Sequence, residues 1–90
     1  MKPQRRLKDL DSIGPAMLSD FEVLGIRTVN DLARRSPEKL YEQLVARRGS
    51  QDICVLDVFR CAVAQARNPR LPAAQRNWWD WSRLRKSGRL

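Results

Sequence analysis

Three groups of residues in this chain have types and spacings that could do chemistry. The first is Ser12-Ile13-Gly14-Pro15-Ala16-Met17. Gly14-Pro15 reads as a helix start, because proline at the first helical position forfeits no hydrogen bond. A helix start presents unpaired N–H groups and the positive end of the dipole, and a glycine lets an anion come close to the backbone. Gly14 and the amides of Ala16 and Met17 are therefore candidates to hold a phosphate, with the Ser12 hydroxyl as a further donor and Lys8 as a nearby cation. Asp11 opposes this, since a carboxylate repels phosphate. The competing reading is that the turn only joins two packed helices.

The second group is Trp78, Trp79 and Trp81, three indoles within four residues beside Arg76, Arg83 and Arg85. Such a cluster can stack single-stranded bases. It can equally fold back over a small core, the reading taken here for Trp78 and Trp81, which leaves Trp79 exposed and available to a partner. The third group is Cys54 and Cys61, seven residues apart on one helix face. At 1.5 Å per residue they stand about 10 Å apart, beyond disulfide reach, and two thiols alone make a poor zinc site. They read as small core residues, so no metal or other cofactor is expected. Glu38 and Glu42, one helical turn apart, read as solvated. The chain has no histidine, which removes the commonest general base and metal ligand and argues against an enzyme.

Charge points to an anionic partner through its distribution more than its sum. The net charge is +8 over 90 residues. Lys2, Arg5, Arg6 and Lys8 against Asp9 make the first nine residues basic; Arg76, Arg83, Arg85, Lys86 and Arg89 against Asp80 do the same for the last fifteen. The middle is nearly neutral. With 42% hydrophobic residues the chain can close one core and is too short to divide into two domains. No apolar run approaches a membrane span of roughly 18 residues. Two cysteines and no secretory leader pattern set the expectation of a soluble, cytoplasmic protein with no membrane contact.

These residues need helices to position them, and the periodicity supplies five, with no strand. Residues 1–6 read as a basic arm. Leu7, Leu10 and Ile13 suit a short first helix; Leu18, Phe21 and Leu24 make the stripe of a second, from Pro15 to a left-handed Gly25. Thr28 and Asp31 form a capping box for a short third helix, and Ser36-Pro37 opens a fourth that runs to Arg48. Asp52 caps the most apolar helix, Ile53 to Ala66, whose only polar stripe is Asp57, Arg60 and Gln65; it should sit centrally. The helical domain therefore covers 7–68, a tryptophan-rich segment packing on it 69–82, and a basic tail 83–90.

The stretch from Leu10 to Leu18 resembles a helix-hairpin-helix unit, in which a Pro-Gly-Ile-Gly type hairpin holds nucleic-acid phosphate through backbone N–H groups without reading bases. Asp11 stands where that family usually has proline, Ser12 where it has the first glycine, and Ala16 where a lysine often sits. The blocks Gly25-Ile26-Arg27-Thr28-Val29-Asn30-Asp31-Leu32, Pro37-Glu38-Lys39-Leu40-Tyr41, Asp52 to Val63 and Trp78-Trp79-Asp80-Trp81 widen the match. Over residues 7–82 the chain resembles the pathogenicity-locus family of small bacterial helix-hairpin-helix proteins, some of whose members are labelled mitomycin-resistance proteins. The resemblance implies an all-α, five-helix, SAM-like bundle and no settled activity.

The combined expectation is a non-enzymatic module that binds nucleic acid, DNA foremost, along its phosphate backbone. Lys8, Ser12, Gly14, Ala16 and Met17 would form the hairpin site, with Lys2, Arg5, Arg6, Arg83, Arg85 and Lys86 adding affinity. The alternative is a protein-interaction adaptor or homodimer that uses Trp79.

Overall fold

The computed structural model describes residues 5–89, so Lys2 and the rest of residues 1–4 lie outside the described residues, as does Leu90. Among the described residues there are five α-helices and no strand: α1 (Pro15–Val23), α2 (Val29–Ala33), α3 (Pro37–Arg48), α4 (Cys54–Arg67) and α5 (Trp78–Lys86). Single 3-10 turns occupy Leu7–Asp9 and Ala73–Gln75.

Local chemistry sets the boundaries. Pro15 opens α1, and Gly25, at φ +75°, closes it; the Ile26 N–H reaches the Phe21 carbonyl (2.9 Å) and the Gly25 N–H that of Glu22 (3.1 Å). These are the paired bonds of a Schellman ending. Thr28 and Asp31 cap α2 reciprocally, the Asp31 N–H donating to Thr28 Oγ1 (3.0 Å) and the Thr28 N–H to Asp31 Oδ2 (3.1 Å). The Arg27 N–H, with the Thr28 N–H and hydroxyl, holds the Asp31 carboxyl below the usual carboxylate range. Ser36 caps α3. α4 begins at Cys54, one residue later than the sequence suggested, with Asp52 Oδ1 accepting from the Cys54 N–H at 2.9 Å just before it.

α4 is the central helix, as its apolar sequence predicts. α2, α3 and α5 all pack on it, and it has no exposed residue from Cys54 to Ala66. Phe59 meets Phe21 at 6.1 Å between ring centroids, inside a core with Leu32, Leu40, Leu44 and Val63.

Three expectations change. The first helix is only the 3-10 turn Leu7–Asp9, because the backbone is already extended at Leu10 (φ −73°, ψ 141°), with Ser12 following at φ +67°. The basic arm is anchored at Arg5, whose guanidinium donates to the Gln65 (2.9 Å) and Ala66 (3.2 Å) carbonyls at the end of α4. Finally, the division at residues 82 and 83 falls inside α5, which runs to Lys86 and ends on Gly88 at φ +72°, with the Arg89 N–H on the Leu84 carbonyl. Consistent with the central place expected of α4, even its polar stripe is covered: Asp57 is fully buried and Gln65 nearly so.

Asp57 is buried because Arg85 of α5 meets it with two nitrogens, Nε–Oδ1 at 2.9 Å and Nη2–Oδ2 at 2.9 Å. A buried carboxylate stripped of such a partner is strongly destabilising, whereas replacing the whole pair by apolar residues is often neutral. Arg85→Ala should therefore lower the Tm by at least about 10 °C in circular-dichroism melts, and Asp57→Leu combined with Arg85→Met should regain most of the loss. A Tm within two or so degrees of the parent for Arg85→Ala would show that the pair does not hold α5.

Candidate nucleic-acid interface

The hairpin is built from backbone outward. Leu10 is buried and Ile13 packs partly against the core. Between them, the buried Gln65 amide clasps Asp11 on both sides: the Asp11 N–H donates to Oε1 (2.8 Å) and Nε2 donates to the Asp11 carbonyl (2.9 Å). This two-bond clasp fixes the loop backbone while leaving the Asp11 carboxylate outside, 3.5 Å from Arg76. The repulsive charge in the hairpin thus has a cation beside it that sequence spacing alone did not connect to residue 11.

Ser12 follows in the left-handed region, at φ +67°. The sequence offered its hydroxyl as a phosphate donor, and the structure gives it other partners. It donates to the Arg76 carbonyl (3.2 Å) and accepts from the Trp78 N–H (3.1 Å), the first amide of α5. Ser12 therefore caps α5 from a distance in sequence of 66 residues, satisfying a donor that the helix itself leaves open.

Gly14 precedes α1 with φ −102° and ψ −177°, an extended backbone that any residue adopts. A Cβ there would meet nothing within 4 Å. No side chain caps α1, and Gly14, Pro15 and Ala16 are exposed while the Met17 side chain turns into the core. The start of α1 is thus an open helix terminus carrying the amides of Ala16 and Met17.

The cations divide into those held by the protein and those on its surface. Arg5 belongs to the α4 carbonyls and Arg85 to Asp57, so neither is the solvent-facing contact the sequence suggested; buried or orphaned acceptors took them first. Arg47 donates to the Val23 carbonyl, Arg35 to that of Leu24, and Arg67 to those of Ala33 and Arg35. Each of these ends a helix, where a cation also meets the negative end of the dipole. Arg6, Lys8, Arg83 and Lys86 are exposed. Lys8 lies along the flank of α1, lining a hollow with Leu18, Glu22 and Arg27, away from the open start of that helix.

Arg83 and Lys86 stand four and seven residues after Trp79 on α5, so the three share a face. Trp79 is 49% exposed, while Trp78 and Trp81 are half-buried, matching the division expected from sequence. Trp81 uses its Nε1–H on the Gln75 carbonyl (2.9 Å). The Ser12 bond to the Trp78 N–H ties the hairpin to the start of the helix that carries this face.

Neither thiol sits in a setting that favours the thiolate. Both are free. Cys61 is buried, and burial pushes its thiol up to about 11. Cys54 is half-exposed, departing from the core reading, and its hydrogen bond to Asp52 raises its thiol as well. Glu38, expected to be solvated only, sits 3.4 Å from Arg60. Among the described residues no group of three or more metal-ligating side chains converges, and no helix is long and apolar enough to cross a membrane.

A family model described as "Pathogenicity locus" matches residues 2–87. The chain is also similar to a mitomycin resistance protein, McrB, of Streptomyces lavendulae, at 38% identity over 81 residues, which is 89% of this chain and 73% of that protein. No solved structure matches the chain.

Two outcomes follow from the hairpin and its surroundings. Ser12→Ala keeps a left-handed non-glycine residue and loses the hydroxyl, whereas Ser12→Gly loses the hydroxyl and relieves the backbone; denaturant titrations should place the glycine variant about 1 kcal/mol above the alanine one. Equal stabilities would mean the left-handed backbone is not maintained. For Cys61, the folded thiol holds its proton more tightly than an unfolded one near 9.0, so its contribution is whole below pH 9 and is lost as pH rises through about 11. Cys61→Ala should flatten the alkaline fall of Tm across that window.

Proposed function

The chain belongs to the pathogenicity-locus family, and from that membership and the surface just described we propose that it is a non-enzymatic, cytoplasmic module that binds nucleic acid, DNA foremost, along the phosphate backbone without reading sequence. The observation that carries this reading is Gly14 at the open start of α1. Its dihedrals do not require glycine and no atom of the described residues lies within 4 Å of where a side chain would begin, so the position suits an anion approaching the Ala16 and Met17 amides. On this reading the loop is a helix-hairpin-helix hairpin in which Ser12 takes the left-handed place of the first glycine. Arg76 offsets Asp11, and Arg83 and Lys86 continue the basic surface along α5.

The resistance in the name of the Streptomyces relative describes an outcome and not a chemistry, so it neither adds to nor subtracts from this reading. A second reading, a homodimer or protein adaptor, is favoured by one observation: Trp79 and Ile53 are large apolar side chains at 49% and 43% exposure. Concentration-dependent light scattering that resolves to a dimer without nucleic acid would support it.

Substitution at Gly14 separates binding from folding. Aspartate is a favoured helix N-cap and its Cβ meets open space here, so Gly14→Asp should leave Tm unchanged or raised while placing a carboxylate where the phosphate would sit. Anisotropy with a labelled duplex at about 50 mM salt should show binding that falls steeply toward about 200 mM, and Gly14→Asp should weaken it about tenfold or more. Removing Arg83 or Lys86 should reduce the log-log salt slope by about 0.9 each. No binding at about 50 mM salt, or binding indifferent to Gly14→Asp, would overturn the proposal.

A further inference from the structure

Along α5, that helix and the first residue of α4 enclose a shallow hollow lined by Cys54, Trp78, Trp79, Ser82, Arg83 and Lys86. Its wall is an aromatic pair set edge to face, with indole centroids 6.0 Å apart and planes at 82°. Trp78 is half-buried, so it braces Trp79 while Trp79 keeps about half its surface in solvent. A ring fixed in this way, with two cations on its own helix face, is a different object from a lone exposed tryptophan.

We propose that this hollow takes an unpaired base of a single-stranded or locally opened nucleic acid, stacked on Trp79, with the flanking phosphates on Arg83 and Lys86. Charge complementarity decides the occupant. Arg83 and Lys86 are both exposed at the rim; Asp80 stands 3.9 Å from Arg83, whose side chain stays largely in solvent, Asp57 is closed by Arg85, and Asp52 accepts the Cys54 N–H. The wall offers a π face and the rim two exposed cations, which match a base and its flanking phosphates. A duplex cannot use the face, because its bases are stacked on one another; a single strand can. Ser12 bonds the first residue of α5, so one strand can meet the open start of α1 and the hollow together.

This inference rests on the nucleic-acid reading above and deepens it from backbone binding to a preference for unpaired strands. Its test compares the full chain on two probes, a labelled oligothymidylate of about 15 nucleotides and a duplex of the same length, at one salt concentration. The parent should prefer the single strand by about tenfold, and its tryptophan emission should be quenched on binding. Trp79→Leu should abolish that preference and the quenching while keeping duplex affinity and Tm; Trp79→Phe should restore part of the preference. Gly14→Asp should weaken both probes alike. Equal affinity of the parent for both probes, or a preference that survives Trp79→Leu, overturns the stacking site and leaves the backbone reading standing. Absence of binding to either probe overturns both, and a Trp79-dependent dimer without nucleic acid assigns the hollow to a second copy instead.

Discussion

Asp57, Cys61 and Gln65 stand at i, i+4 and i+8 on α4, so they form one stripe of a helix that has no exposed residue between Cys54 and Ala66. Buried polar groups must find partners, and the partners of this stripe come from the two segments that flank the helical core. Asp57 takes Arg85 from α5; Gln65 takes both backbone groups of Asp11 in the hairpin; Cys61 lies against the Gln75 carbonyl and the Gln65 amide between them. The hairpin and the last helix are thereby fixed relative to one another through α4, and the Ser12 to Trp78 bond closes the arrangement directly. Apolar packing alone would bury α4 but would not choose this register.

The same accounting changes what a net charge of +8 means. Arg5, Arg35, Arg47 and Arg67 each donate to carbonyls at the ends of α4, α1, α1 and α2. Short helices have many open termini relative to their length, since each leaves four carbonyls without an internal partner. In a bundle of five helices, the longest 14 residues, arginine is a means of closing them. The basic composition is therefore partly architectural, and the surface that faces an anion is narrower than the sum implies. It comprises the start of α1, Arg76, and the Trp79, Arg83 and Lys86 face.

Much of the fold was legible in the sequence because its punctuation is local. Pro15 and Gly25, Thr28 with Asp31, and Ser36 with Pro37 mark three helices by chemistry that acts within a few residues. What was not legible acts across the chain. Asp57 and Gln65 read only as a polar stripe until α5 and the hairpin supply their partners, and no spacing rule announces a partner 28 or 54 residues away. Ser12 reads as a damaged glycine position, yet its hydroxyl has a second use as a cap for α5. One signal for α5 was present: Gly88 after a Lys-Ser pair is the ending of a helix, and the basic character of residues 83–90 obscured it.

The central claim is that the start of α1 and the Trp79 face of α5 act as one surface. A 15N-resolved NMR titration with a short single-stranded oligonucleotide reads both at once. The account predicts that the Gly14, Ala16 and Met17 amides and the Trp79 indole N–H shift together along one binding curve. Shifts confined to Arg6, Arg89 and their neighbours, with those four signals unmoved, would contradict it.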